Sequence, residues 1–166
     1  YKRQNLSIPG ESTREVVKRF PTEAEARCKK VYSDDCASII FAAGINDTKC
    51  IDFKDNPVTE LEDFRRNIAF LTESASKHTK HIIFVGLTLV DEQKTAPMDN
   101  VYFLNDKIKT YNEIINKECQ KRNITFLNIA EEWSGLNYLQ LLSDDGIHLN
   151  EKGHQKIFEK IKPLFI

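Results

Sequence analysis

The chain has 166 residues, 40% of them hydrophobic and 30% charged, and its 24 basic and 25 acidic residues leave a formal net charge of −1. This is the size and balance of one soluble globular domain over residues 1–166, with room for a real core. The charges are mixed along the chain, so no basic stripe suits it to nucleic acid; no apolar run is long enough to span a bilayer, and no signal peptide is visible.

In chain order, a strand is expected within "YKRQNLS". "STREVVKRF" follows as a helix, with Ser12 and Glu15 at capping-box spacing and Val16, Val17 and Phe20 on one stripe. Pro21 is expected to interrupt or restart it. "ASIIFAAG" (Ala37 to Gly44) reads as a buried strand. "TELEDFRRNIAFLTESASK" reads as a helix, with a second capping box at Thr59 and Glu62 and with Leu61, Phe64, Ile68 and Leu71 on one face. "HIIFVGL" (His81 to Leu87) is a second buried strand, and "TLVDEQKTAPMDN" a long polar loop. "VYFLNDKIKTYNEIINKECQKR" places Leu104, Ile108, Tyr111 and Ile115 on the stripe of a long helix. "NITFLNI" (Asn123 to Ile129) is a third strand, followed by a short helical stretch. The last helix starts near Glu151 and carries Ile157, Phe158 and Ile161. Cys28, Cys36, Cys50 and Cys119 form no C-x-x-C pair. That spacing indicates neither a zinc site nor a disulfide scaffold, and fits idle thiols in a reducing, cytoplasmic setting.

Apolar strands separated by amphipathic helices predict parallel strands buried on both faces, in a three-layer α/β/α sandwich with right-handed crossovers. Ligands bind such sheets at the carboxyl ends of the strands. The polar residues just past the strands are Gly10; Asn46 and Asp47; Thr88, Asp91 and Glu92; and Asp145 and His148. Together they hold most of what acyl transfer needs. An imidazole moves the proton, a carboxylate orients it, and a glycine N–H and an amide are donors for an oxyanion. Each motif alone has a plainer reading: Asp145-Gly146 as turn chemistry, Asn46-Asp47 as a cap. His154 reads as a helix-surface residue, His78 and His81 as solvated neighbours of a strand, and Asp34-Asp35 as a turn.

In their order, "NLSIPGES", "AGIND" and "DDGIHLNEKGH" resemble the SGNH (GDSL-type) esterase and lipase family, from Asn5 to the last helix. The resemblance implies a flavodoxin-like fold hydrolysing esters or thioesters with no metal and no cofactor. Gly10 N–H and the Asn46 amide would be oxyanion donors, His148 the base and Asp145 its orienter. Ile45, Asp47, Thr88 and Leu89 are expected to line the cleft for a small-molecule ester. Pro9 and Leu149 depart from the family pattern in loop shape rather than chemistry. The larger departure is that no G-D-S block occurs, and Ser7, Ser12 and Ser38 sit in the wrong context to replace its serine. The first strand is therefore expected to be missing here, the natural protein carrying a further strand, its serine loop and a helix upstream of Tyr1. Two other functions compete: an SGNH-like binding module that has lost its nucleophile, and a receiver-like domain using Asp34, Asp35 and Asp47, which would leave "DDGIH" idle.

Overall fold

The structure is a computed structural model that describes residues 4–28 and 37–164. Asp34, Asp35 and Cys36 lie outside the described residues.

Its frame is a parallel sheet of three strands, β1 (Ser38–Phe41), β3 (His81–Val85) and β5 (Thr125–Leu127), in the spatial order β1-β3-β5. Parallel neighbours need long crossovers. These are supplied by α2 (Leu61–Ser76) between β1 and β3 and by α4 (Asn105–Gln120) between β3 and β5. Alternation along β3 defines the two faces. Ile82 and Phe84 join a core with Phe41, Phe64, Ile68, Leu71, Ile108, Tyr111 and Ile115, on which α1 (Thr13–Arg27) also packs. Ile83 and Val85 point the other way, into a smaller core with Ile129 and Trp133 of α5 (Ile129–Ser134) and the partly buried Ile157 and Ile161 of α6 (Glu151–Ile161). The result is an α/β fold of three layers. Its centre is aromatic: Phe20, Phe41 and Phe84 follow one another with ring centroids 5.1 and 5.4 Å apart. Full burial of a side chain such as Phe41 or Phe84 contributes about 1.5–3 kcal/mol.

Several elements differ from expectation, each for a local reason. Residues 4–10 are exposed and form no strand; Asn5 Oδ1 accepts from Ser7 N–H at 3.0 Å and turns the chain instead. α1 runs unbroken through Pro21, which faces solvent while Arg19, held by Glu11 and Glu23 at 2.7 Å each, braces the turn across it. α2 begins at Leu61 with Glu60 as N-cap, because Thr59 is buried and bonded to Asp47 rather than capping. Leu61 itself is exposed. Leu104 is the N-cap of α4, and Phe158 faces solvent.

The "polar loop" is partly core. Leu89, Val90 and Thr95 are buried and α3 (Glu92–Thr95) interrupts it; just past it Val101–Tyr102, the start of the stretch read as the long helix, pair instead as β4 with β2 (Cys50–Ile51) in a small antiparallel ribbon. β1 is the edge strand. It was expected to be buried throughout, yet Ser38 and Ile40, on one face, are exposed, Ile40 at 38%, and no described residue pairs with its outer edge.

Candidate active site

Strands β1 and β3 run parallel, so the loops that follow them open on one edge of the sheet, and the polar residues singled out above sit there. The chain enters this edge through a turn from Ile8 to Glu11, where Glu11 N–H reaches Ile8 O at 3.4 Å. Pro9 occupies the second position, and Gly10, at φ +81°, the third, the pairing a type II turn requires. Gly10 is exposed, with nothing within 4 Å of the place a side chain would take. Ser12 and α1 follow directly.

After β1, Gly44 has φ +123°, and a Cβ there would lie 3.2 Å from Leu87 and 3.3 Å from the Phe64 ring. Only glycine lets the chain turn so close to the core. The turn Ile45–Asp47 then presents Asn46, whose amide donates one hydrogen to Glu11 O at 3.0 Å. An amide has two hydrogens in one plane, so this bond fixes where the second points. Asp47 was expected to line the cleft, and it does not. It is fully buried, and its carboxylate accepts from Thr13 N–H at 2.9 Å, from Thr13 Oγ1 at 2.6 Å and from Thr59. Burial pushes its pKa above the ordinary carboxylate value against the pull of those bonds.

After β3 the chain is held by two asparagines of α4. Asn112 exchanges both bonds with Leu87 (2.8 and 3.0 Å), and Asn105 does the same with Val90 (2.9 and 3.1 Å). This turns Leu89 into the core, out of any cleft, and leaves Thr88 half-buried. Asp91 caps α3 through Gln93 N–H, and Glu92 accepts from Asn105 N–H at the start of α4. Both acids are therefore engaged in capping. Ile45, also assigned to the cleft, is half-buried against the main core.

The "SDDGIHLN" loop closes the edge. Asp91 N–H donates to Gly146 O at 2.8 Å, and Ile147 is buried with Leu87, Leu89 and Val90, so this loop is seated on the one after β3. Asp145 uses both oxygens. Oδ1 accepts from the N–H groups of Ile147 (2.9 Å) and His148 (3.0 Å), and Oδ2 lies 2.6 Å from His148 Nδ1. Burial works against the charge of Asp145, but the His148 ring and those two N–H groups outweigh it and hold the pKa below the ordinary value. An ionised acceptor calls for the proton on Nδ1, which leaves the lone pair on Nε2, pointing outward on a side chain 77% exposed. The three-residue spacing thus serves orientation: the backbone turns around the carboxylate that holds the ring.

Among the described residues, the serines nearest the motifs show no hydroxyl bonded to that ring. Ser12 Oγ donates to Glu15 at 2.5 Å and Ser143 Oγ to Leu149 O at 3.1 Å, while Ser7 is exposed and Ser38 opens β1 at the opposite end of the strand. Thr13, Asn105 and Asn112 were not singled out from sequence, although polar residues at Asn105 and Asn112, in line with the apolar stripe of α4, were the available signal.

A sequence profile of the GDSL-like lipase/acylhydrolase family matches residues 1–156. The chain belongs to that family. Membership supports an ester hydrolase as its class. Among solved structures it is similar to a lipase/acylhydrolase from Enterococcus faecalis (15% identity, 93% of this chain and 72% of that one, TM-score 0.71). It is also similar to an acetyl xylan esterase (15%, 96% and 78%, TM-score 0.73) and to a catalytic mutant of an acetylxylan esterase from Geobacillus stearothermophilus (18%, 98% and 71%, TM-score 0.70). At such identities these likenesses carry the fold. No curated protein matches the chain. Among the described residues no helix is long and apolar enough to cross a membrane.

Proposed function

We propose that this chain is the larger part of a serine ester hydrolase acting on a small-molecule ester. In this reading His148 Nε2 takes the proton of a serine hydroxyl as the oxygen attacks the ester carbonyl, and returns it to the departing alcohol; water then repeats the sequence on the acyl-enzyme. Asp145 holds the tautomer and stabilises the imidazolium. Gly10 N–H and the free hydrogen of the Asn46 amide face the oxyanion. The serine itself comes from a strand that adds to the open edge of β1, upstream of Tyr1, covering Ile40 as it does so. The observation that carries the reading is the Asp145–His148 pair, at 2.6 Å with Nε2 turned to solvent.

The test is labelling of the intact protein with a fluorophosphonate, followed by identification of the modified residue. The expected result is one labelled serine outside residues 1–166, with labelling lost in His148→Ala. A label on Ser7, Ser12 or Ser38, or none on a protein that is folded and intact, overturns the proposal; the second outcome favours the binding module.

A further inference from the structure

Asp47 is a buried carboxylate that the chemistry above does not use. It is an expensive thing to keep: desolvation disfavours its charge, and the raised pKa records the cost. Its partners explain it. Thr13 is the first residue of α1, whose N–H has no intrahelical acceptor. The capping box of Ser12 and Glu15, present as the spacing predicted, does not serve it, because that box satisfies the N–H groups of Ser12 and Glu15. The acceptor comes instead from 34 residues further along the chain. The local box caps α1 but ties it to no other element. Asp47 ties the start of α1 to the loop after β1, and Asn67 of α2 adds a third element by donating to Thr13 Oγ1 at 3.0 Å.

What this fastens is the pair of proposed donors. Asp47 is next to Asn46, and Thr13 is three residues from Gly10. Between the two ties runs the bond from the Asn46 amide to Glu11 O, one peptide from Gly10. Two parallel bridges therefore join the loop bearing Gly10 to the loop bearing Asn46. We propose that Asp47 is a positioning residue of the oxyanion site: by holding Thr13 it fixes the Gly10 N–H relative to the Asn46 amide. The inference rests on the reading of Gly10 and Asn46 as oxyanion donors.

A misplacement of about 1 Å in such a site costs roughly 10²-fold. The experiment is a mutant cycle in the intact enzyme, with 4-nitrophenyl acetate as substrate. Asp47→Asn is expected to lower kcat by about 10- to 10²-fold with KM little changed. In an Asn46→Ala background, where one donor is already gone, it is expected to lower kcat far less. Unchanged kcat in a folded Asp47→Asn protein, or equal losses in the two backgrounds, reduces Asp47 to a helix cap and overturns the proposal. If Asp47→Asn does not fold, Thr13→Val keeps the backbone bond and removes the hydroxyl; its several-fold loss of kcat must likewise shrink in the Asn46→Ala background, and an equal loss in both overturns the inference. Asn46→Ala with wild-type kcat removes the oxyanion reading itself. Full sensitivity to Asn46→Ala together with indifference to Asp47→Asn removes only the role of Asp47.

Discussion

Two aspartates on the same sheet edge carry opposite electrostatics. Asp47 is sealed beneath the loop after β1, bonded to Thr13 and Thr59, and pushed toward protonation by burial. Asp145 lies in an exposed loop, where the His148 ring and two backbone N–H groups hold it charged. Both residues follow sequences that read as ordinary turns, "IND" and "DDG". The difference between them comes from what the fold packs on top. The first is placed to hold backbone in position, the second to hold a side chain that, in the proposed reaction, exchanges a proton. A carboxylate at the edge of a parallel sheet can do structural or chemical work, and its hydrogen-bond partners tell which.

The largest expected effect follows from the second. His148→Ala in the intact enzyme should lower kcat for a nitrophenyl ester by about 10²–10⁴-fold. Thermal melting should fall only slightly, because the side chain is 77% exposed and its one tie is to Asp145. Wild-type turnover would remove the ring from the chemistry. Next comes Asn46→Ala, expected to cost about 10²–10³-fold in kcat, as loss of one oxyanion donor does. An unchanged rate would leave Asn46 with only its bond to Glu11.

Stability against pH sharpens the contrast more gently, with opposite signs for the two acids. Asp47 has a raised folded pKa, so the folded protein holds its proton more tightly than the unfolded chain; its contribution is present below the ordinary value of 3.8 and is lost as pH rises through the higher one. Asp145 has a lowered folded pKa, so its contribution is present above 3.8 and is lost as pH falls through the lower value. In urea titrations across the acid range, Asp47→Asn should therefore remove a loss of stability with rising pH, and Asp145→Asn a loss with falling pH. The same sign for both would break the comparison. Least in activity is Gly153→Ala. A Cβ there would lie 2.5 Å from Leu141 O, so the protein should lose about 1–3 kcal/mol while kcat stays near wild type.

Much of the fold was legible in periodicity. Phe64, Ile68 and Leu71, and Ile108, Tyr111 and Ile115, are each fully buried as their spacing predicted, and the three strands of the parallel sheet fall inside the apolar runs. What failed was decided by tertiary partners. Thr59 gave up its capping position because Asp47 and Tyr111 claimed it, and Leu89 left the cleft because Asn105 and Asn112 pinned the backbone on either side. The β2–β4 ribbon pairs two residues with two, too short for an alternation pattern to show. The contact between Asp145 and His148 was legible because it spans three residues. Asp47 and Thr13 were not, because theirs spans 34, and local spacing carries no trace of it.

The most direct test is a crystal structure of the intact protein after reaction with a fluorophosphonate. The phosphoryl oxygen should accept hydrogen bonds from Gly10 N–H and the Asn46 amide, with His148 Nε2 facing the oxygen of the modified serine. A phosphoryl oxygen turned away from both donors, or a modified serine that the His148 ring cannot reach, would contradict the account.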